Sequence, residues 1–235
     1  MKKEIWKTAE NVFDSFTLRT LQKLSSEGHF DGLKSKIAMG KEANVFTAEK
    51  GKDLVCIKIY RLETADFNKM YKYIAGDPRF RGIKHNRRKI IFEWTKREFR
   101  NLLKAREAGV NVPKPIAFEN NVLVMEFIGD NFGVLNPAPI LKNKPPIDIE
   151  KCFKSVKQDM KKMYKAELVH GDLSEYNILN YNEKFVLIDL SHGTPSFAPA
   201  SREIFERDIK NVSNYFKRMG IDTDEERFRK EIVGK

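Results

Sequence analysis

The segment His170-Gly171-Asp172-Leu173-Ser174-Glu175-Tyr176-Asn177 decides the fold of this chain of 235 residues. It has the form H-x-D-x-x-x-x-N, and Ile188-Asp189 follows at the end of an apolar run that predicts a short strand. Carboxylate and amide oxygens are the hard ligands that Mg²⁺ prefers in proteins. A polar turn between a helix and a buried strand would explain the octet as well, so the interpretation depends on the rest of the chain.

Three side chains of this segment have predicted chemical roles. In phosphoryl-transfer enzymes of the kinase type, the Asp of such a loop accepts or orients the substrate proton, which makes Asp172 the predicted catalytic residue. The Asn of the loop and the Asp after the strand hold metal on the nucleotide phosphates, so Asn177 and Asp189 are the predicted metal ligands. The pattern therefore indicates phosphoryl transfer from a nucleotide.

Lys58 is the predicted cation for the nucleotide phosphates, because it interrupts the apolar strand 54–60. An alternating strand can also point such a lysine to solvent. A buried ammonium needs a carboxylate, since desolvating one charge alone is costly. Glu98 lies within the apolar stripe of a helix predicted over 90–108 and is the predicted partner of Lys58. Ordinary helix solubility is the alternative explanation for Glu98.

Two further segments are candidates for contacts with the nucleotide. The turn Gly40-Lys41-Glu42-Ala43-Asn44-Val45 lies shortly before the strand lysine and predicts a loop over the phosphates, with Gly40 and Lys41 as contacts. A plain hairpin would have a similar sequence. Glu126 and Ile128 follow an apolar strand, and their backbone groups can recognise an adenine edge. An ordinary strand end is the alternative there.

The order of the predicted elements indicates an α+β fold with two lobes. Strands between residues 33 and 60, the long helix and two strands near 116–127 form an N-terminal lobe with an antiparallel sheet. A mostly helical C-terminal lobe follows. The predicted divisions are an N-terminal helical extension (1–30), the N lobe (31–130) with an exposed, flexible, basic insertion (about 62–89), an inter-lobe linker (131–146) and the C lobe (147–235).

The chain is strongly basic, with 44 Lys and Arg against 33 Asp and Glu, and a net charge of +11. This charge favours an anionic partner such as nucleic acid, ribonucleoprotein, nucleotide or an acidic lipid face, although solubility alone also explains it. The basic run 69–89 is ordinarily a solvated segment. Its interleaved Tyr71, Tyr73 and Phe80 favour RNA, because aromatic rings stack on bases.

The composition also bears on the compartment. Cys56 and Cys152 are the only cysteines and belong to no C-x-x-C or zinc pattern, which is typical of reduced, buried thiols. The first residues contain no secretory h-region, and no apolar run has membrane-spanning length. A cytoplasmic protein without membrane contact is expected. The oligomeric state stays open, with a monomer favoured.

Five further stretches, taken with the octet and Ile188-Asp189, carry a family resemblance. They are Gly40–Phe46, Val55–Arg61, Gly76–Phe80, Lys96–Leu102 and Val124–Gly129. The combination resembles the RIO family of atypical serine/threonine protein kinases over about residues 10–220. It is most similar to the Rio1 branch in an archaeal-length form.

The resemblance implies a trimmed, two-lobed protein-kinase fold that uses ATP with Mg²⁺ or Mn²⁺. It implies a role in maturing the small ribosomal subunit, with the precursor particle or its rRNA as partner. It identifies Lys58 as the phosphate-contacting lysine, Glu98 as its pair and Met125 as the residue that gates the adenine pocket. It also implies that Asp189 is transiently phosphorylated, so that the working activity can be ATP hydrolysis.

Three departures from related patterns affect these expectations. Ala38-Met39 stands where family members often have a Ser/Thr pair, which removes hydroxyl contacts to the phosphates. Leu190-Ser191 follows Asp189 in place of the Phe-Gly of ordinary protein kinases. Gly171 replaces the Arg of the H-R-D loop, which removes the cation that would meet a phosphorylated activation segment. The protein substrate is therefore not predicted.

Two other functions are consistent with parts of the sequence. A small-molecule kinase of the aminoglycoside or choline type also uses an H-G-D-x-x-x-x-N loop, but the 46 residues after Asp189 are few for its substrate lobe. A non-catalytic ribonucleoprotein-binding scaffold would use the basic run. Retention of four polar groups together argues against it, because each is costly without a nucleotide. These groups are Lys58, Asp172, Asn177 and Asp189.

Overall fold

A computed structural model describes residues 13–63, 66–80, 86–132 and 134–234, without the side chains of residues 131, 132 and 134. Its packing divides the chain into two compact units. Unit 1 comprises the chain up to Ala75, Arg79–Phe99 and Lys114–Pro137, and unit 2 comprises Gly76–Pro78, Arg100–Pro113 and the chain from Ala138. The predicted domain boundaries, including the linker at 131–146, stay predictions.

Unit 1 is built on a five-stranded antiparallel sheet. Its strands are β1 Gly32–Met39, β2 Ala43–Lys50, β3 Asp53–Tyr60, β4 Pro115–Glu119 and β5 Val122–Glu126, in the spatial order β1-β2-β3-β5-β4. Strand β3 is central and buried along its last six residues, as its run of apolar side chains requires. A separate hairpin pairs β6 Gly129–Phe132 with β7 Val134–Pro137.

Helix α1, Ser15–Ser26, covers one face of this sheet. Asp14 caps it, because its carboxylate accepts hydrogen bonds from the backbone N–H groups of Phe16 and Thr17, both at 3.0 Å. Leu21 and Leu24 are fully buried in a core that includes Ile57 and Ile59. Residues 1–12 of the predicted N-terminal extension lie outside the described residues.

Helix α2, Phe67–Ala75, and a 3₁₀ turn, Pro78–Phe80, occupy part of the predicted exposed insertion. Met70, Ile74 and Phe80 are buried in a second core cluster with Trp94. This part of the insertion is therefore packed and not exposed, because its apolar side chains follow a helical period that the basic residues obscure. Residues 81–85 lie outside the described residues, and flexibility of the insertion stays a prediction.

Helix α3, Arg87–Glu107, contributes residues to both units. Its buried stripe contains Ile91, Trp94, Glu98, Leu102 and Ala105, as the helical spacing predicts. The helix is followed by Gly109, which has the left-handed φ of 75° that suits a helix end. One continuous helix thus carries a charged side chain into the apolar interior of unit 1.

Besides the last residues of α3, the described part of unit 2 contains the α-helices α4 Ile149–Lys165, α5 Ser201–Arg218 and α6 Glu225–Val233. Phe153 of α4 packs against Phe216 and Phe228, with ring centroids 5.1 and 5.5 Å away. Two short antiparallel pairs join β8 Leu168–Val169 to β11 Thr194–Pro195 and β9 Ile178–Tyr181 to β10 Lys184–Leu187. No helix within the described ranges combines the length and the apolar character needed to span a membrane.

Candidate active site

Lys58 and Glu98 form a buried ion pair in unit 1. Lys58 points from the central strand β3, and its Nζ lies 2.8 Å from Glu98 Oε1 on α3. The two side chains are 9% and 1% exposed. A carboxylate this deep in an apolar core requires a hydrogen-bonded cation, so the pair exists because each charge offsets the cost of burying the other. By contrast, Glu93 meets Lys96 at the surface of α3 at 3.3 Å.

Tyr60 is a third member of this cluster that the sequence analysis did not identify. Its hydroxyl donates to Glu98 Oε2 at 2.5 Å, so both carboxylate oxygens are bound. The ring of Tyr60 also lies 5.2 Å from Lys58 Nζ, within cation–π range. Spacing contains the signal, because Lys58 and Tyr60 are two residues apart on β3 and share a face.

The turn before β2 has a hairpin geometry at Gly40 and Lys41. The N–H of Gly40 donates to the carbonyl of Ala43 at 2.9 Å, and Lys41 is exposed. A Cβ at Gly40 would lie 3.0 Å from that carbonyl, so a larger residue would need the turn to shift. The phosphate contacts assigned to Gly40 and Lys41 stay predictions.

The predicted adenine-contacting residues lie at the end of β5 and directly after it. Met125 is half-buried and pairs with Cys56 of β3 and Pro115 of β4. The N–H of Glu126 donates to the carbonyl of Lys114 at 2.8 Å, so this N–H is not available to an adenine. The carbonyl of Glu126 and the backbone of Ile128 remain the predicted contacts.

The octet in unit 2 brings Asp172 and Asn177 together. Asn177 Nδ2 donates to the backbone oxygen of Asp172 at 2.7 Å and to its Oδ2 at 3.2 Å. Asp172 is exposed and Asn177 is half-buried. Because the amide nitrogen is used within the loop, the amide oxygen is oriented for another ligand.

Side chains of helix α5 hold the backbone of the octet through hydrogen bonds. Asp208, which is 1% exposed, accepts hydrogen bonds from the N–H of Gly171 at 2.7 Å and of Leu173 at 2.9 Å. Arg207 donates to the carbonyl of Gly171. Burial raises the pKa of Asp208 from its ordinary value of 3.8 to about 7, against the lowering effect of the two backbone hydrogen bonds and Arg207.

Gly171 occupies a position in the octet where no larger residue fits. Its φ is 88°, and a Cβ there would lie 2.5 Å from the carbonyl oxygen of His192. Only glycine fits both conditions. The backbone conformation and the close approach of His192 therefore explain why a glycine, and not an arginine, stands at position 171. Asp208 and Arg207 were missed, because a helix-face carboxylate 36 residues after Asp172 has no local sequence signal.

Asp189 lies two residues beyond the end of β10, so the short strand that was predicted to end at Ile188-Asp189 ends earlier, at Leu187. Its backbone is left-handed, with φ 61° and ψ 64°. The hydroxyl of Ser191 donates to Asp189 Oδ1 at 2.7 Å. Around this turn, the N–H of Ile188 donates to the carbonyl of Asn177 at 3.0 Å, and His170 Nε2 donates to the carbonyl of Ile188 at 3.0 Å. These bonds tie Asp189 to the octet.

The donor set of unit 2 fits a divalent cation held on a polyphosphate. Asn177 and Asp189 offer one amide and one carboxylate oxygen on connected backbone, and Mg²⁺ typically takes one or two protein oxygens together with phosphates and water. Across the described part of the chain, no group of three or more His, Cys, Asp or Glu forms a metal site. A site completed by nucleotide phosphates is consistent with the two oxygen ligands that Asn177 and Asp189 offer.

Comparison with known sequences identifies close relatives. A family model described as RIO domain matches residues 44–229. The RIO-type serine/threonine-protein kinase Rio1 of Methanocaldococcus jannaschii is 46% identical over 230 residues, which cover 97% of this chain and 78% of that protein. The Rio1 kinase of Haloferax volcanii is 40% identical with the same coverage.

Solved structures give the same fold. The Rio2 kinase from Chaetomium thermophilum has a TM-score of 0.70 at 20% identity, covering 92% of this chain and 67% of that chain. A complex of that kinase described as ADP/Mg²⁺-phosphoaspartate has a TM-score of 0.68 at 18% identity, covering 92% of this chain and 65% of the other. These identities support the fold alone. The predicted kinase-like α+β fold, with an antiparallel N-terminal sheet and one long helix, is confirmed.

Proposed function

The chain belongs to the RIO domain family, in its Rio1 branch of serine/threonine-protein kinases, and we propose that it transfers the γ-phosphate of ATP with Mg²⁺ as the metal. Lys58 contacts the phosphates, and Asn177 and Asp189 hold the metal, which neutralises charge on the transferred group when bound. Asp172 orients the acceptor and accepts its proton. The buried ion pair between Lys58 and Glu98 is the observation that supports this proposal most, because a buried pair adds little net stability, so that a role toward a ligand is the better explanation for its presence in an apolar core.

Asp172 can act as a base without losing its position. Its backbone carbonyl and side chain both accept from Asn177, and its neighbours Gly171 and Leu173 are fixed by Asp208. The carboxylate itself is exposed, so an acceptor hydroxyl can reach it. Alignment of this kind is the main catalytic demand in phosphoryl transfer.

We further propose that Asp189 accepts the phosphate during turnover and that the working cycle includes ATP hydrolysis. The support is the left-handed backbone at Asp189 together with the hydrogen bond from the Ser191 hydroxyl to Asp189 Oδ1, because the two fix the orientation of the carboxylate. The relative crystallised with phosphoaspartate is a Rio2 kinase at 18% identity, so its chemistry is an analogy for this chain.

Incubation with γ-labelled ATP and Mg²⁺ tests both proposals in one assay. Label in a hydroxyl ester indicates serine or threonine phosphorylation, label in an acid-labile bond indicates aspartyl phosphate, and label in free phosphate indicates hydrolysis. We expect an acid-labile fraction that disappears in Asp189→Asn. No transfer and no hydrolysis with either Mg²⁺ or Mn²⁺ would refute the proposed function.

The proposed cellular role is maturation of the small ribosomal subunit in the cytoplasm, by analogy with the family. Its support is the net charge of +11 and the basic residues of the 69–89 run. Co-sedimentation with precursor subunits tests it, with Lys69, Lys72 and Arg79 changed to Ala as the comparison. Equal co-sedimentation of both chains would exclude these residues as the docking site.

A further inference from the structure

Tyr60 makes a contact that an ion pair between Lys58 and Glu98 does not need. Lys58 donates to one oxygen of Glu98 at 2.8 Å, and the Tyr60 hydroxyl donates to the other at 2.5 Å. Tyr60 and Glu98 are each 1% exposed, so water does not take the place of the Tyr60 hydroxyl at this carboxylate. Both oxygens of the Glu98 carboxylate are therefore held, and the group cannot rotate about its terminal side-chain torsion without breaking one of these hydrogen bonds.

The ring of Tyr60 constrains the other partner. Its centroid lies 5.2 Å from Lys58 Nζ, where the negative face of an aromatic ring attracts an ammonium. An ammonium carries three N–H donors, so donation to Glu98 is compatible with donation to a phosphate oxygen. One tyrosine side chain thus contacts both members of the pair.

The backbone of Tyr60 is fixed on both sides by Asn121 in the turn between β4 and β5. The N–H of Tyr60 donates to the Asn121 carbonyl at 2.8 Å, and Asn121 Nδ2 donates to the Tyr60 carbonyl at 2.8 Å. Asn121 is fully buried. With its backbone fixed, only the two side-chain torsions of Tyr60 remain, and the core restricts these.

The second N–H of Asn121 connects this cluster to helix α1. Asn121 Nδ2 also donates to Thr17 Oγ1 at 3.0 Å, and the Thr17 hydroxyl donates to Asp14 Oδ2 at 2.7 Å. Both donor hydrogens of Asn121 are thereby used. Hydrogen bonds thus run from the N-cap of α1 to the backbone of Tyr60, whose side chain contacts the ion pair, although α1 precedes the residues matched by the family model.

We propose that Tyr60 is a positioning residue for the phosphate-contacting lysine, with Asn121 and helix α1 holding Tyr60 in place. The hydroxyl fixes Glu98, Glu98 fixes Lys58, and the ring limits the movement of the ammonium. This inference rests on the proposed function, because it requires that Lys58 acts on ATP.

Tyr60→Phe is the decisive variant, because it keeps the ring and removes only the hydroxyl. We expect kcat for phosphate transfer to fall about tenfold, the size of one charge-assisted hydrogen bond. We expect the Kd for ATP, measured by calorimetry, to stay within about twofold, since the lysine keeps its charge and loses only its alignment. A role in folding alone would lower the melting temperature without separating kcat from Kd.

Tyr215→Phe is the matched control. Tyr215 is a buried tyrosine of unit 2, 7% exposed, and its hydroxyl has no hydrogen-bond partner among the described residues. We expect its kcat to equal that of the unchanged chain. A second measurement places Tyr60→Phe in a Glu98→Ala background, where it should add no more than about a twofold loss, since residues that act through one another are not additive.

The outcomes separate the two proposals. If the unchanged chain transfers phosphate and Tyr60→Phe matches it in kcat, the positioning role is refuted and the proposed function stands. Equal losses in Tyr60→Phe and Tyr215→Phe would also refute the positioning role. If the unchanged chain neither binds ATP nor transfers phosphate, the proposed function fails and this inference fails with it.

Discussion

The two units hold their candidate site residues by opposite means. In unit 1, Lys58 and Glu98 are buried side chains that meet across 40 residues of sequence, and a third side chain fixes them. In unit 2, Asp172 is exposed, and the backbone N–H groups on either side of it donate hydrogen bonds to the buried Asp208. The residues of unit 1 are held by contacts between buried side chains, and those of unit 2 by hydrogen bonds to their main chain.

This difference matches the chemistry proposed for each set. A lysine that aligns phosphates keeps one partner throughout the reaction, so burial with a carboxylate suits it. A base and metal ligands exchange partners during turnover, so they need access to substrate, water and metal. Changes in unit 1 should therefore lower stability together with activity, whereas changes at the exposed groups of unit 2 should lower activity alone.

The sharpest test of this separation is Asp172→Ala. We expect phosphate transfer to fall about 1,000-fold, within the range for loss of a general base. ATP binding should persist, because the backbone carbonyl of residue 172 still orients Asn177. Transfer of γ-label and calorimetric ATP titration measure the two quantities, and the free energy of unfolding should not change.

Asp222→Ala is the control for that variant. Asp222 is a fully exposed carboxylate of unit 2 and should be dispensable. An Asp172→Ala chain with unchanged turnover would remove Asp172 from the mechanism. A large loss of stability would instead contradict the view that the octet is held mainly through its backbone N–H groups and not through the Asp172 carboxylate.

Glu98→Ala tests the opposite behaviour in unit 1. Removing one partner leaves Lys58 buried and uncompensated, which should lower the free energy of unfolding by about 3 kcal/mol. Glu93→Ala on the same helix removes a half-exposed pair with Lys96 and should cost about 0.5 kcal/mol or less. Denaturant unfolding of both variants measures the difference, and equal losses would show that burial does not distinguish the two pairs.

The anchor beneath the octet predicts a pH dependence. The folded pKa of Asp208 is raised to about 7 from 3.8, so between these values the folded chain binds a proton that the unfolded chain has released. Stability should therefore fall as pH rises through this window, by roughly 2–4 kcal/mol in total, and level off above it. Unfolding free energies between pH 4 and 8 would measure this fall.

Asp208→Asn is the matching variant, because it cannot titrate. The slope with pH should decrease in this chain but not vanish, since burial also raises the pKa of Asp159 in unit 2. A slope identical to that of the unchanged chain would show that Asp208 does not take up the proton.

The smallest expected effect is that of Ser191→Ala. Loss of its hydrogen bond to Asp189 should raise the Mg²⁺ concentration for half-maximal activity about threefold, because the carboxylate is less well oriented. Ser213→Ala is the control, since both serines are 1% exposed and Ser213 bonds only to the Lys210 carbonyl at 3.3 Å in the described structure. Equal Mg²⁺ dependence in the two variants would exclude a role for Ser191.

Much of the fold could be predicted from local patterns. The five strands of unit 1 and helix α3 appear at their predicted places within a few residues, because alternation and helical periodicity are properties of short windows. The prediction for 62–89 was wrong where Met70, Ile74 and Phe80 are buried. There, abundant basic residues hid the helical period of a few apolar ones.

The site was predictable to a similar depth. The ion pair of Lys58 with Glu98 was predicted, because a costly polar group in an apolar segment needs a partner, whereas the contact of Asp172 with Asn177 was not. The roles of these residues toward nucleotide and metal stay predictions. Tyr60 shares a face of β3 with Lys58, so its spacing contains a signal that was not used. Asp208 is one of several acids on α5, and only its neighbours in space distinguish it.

The sequence by itself determined the family, through its combination of motifs, and the α+β fold, through the periodicity of its apolar residues, and it predicts which polar groups act on phosphate and metal. The tertiary structure alone decided which side chains support them. A hydrogen bond between Tyr60 and Glu98 joins residues 38 apart in sequence, and one between Asp208 and Gly171 joins residues 37 apart. Such contacts are set by packing, which no local pattern encodes.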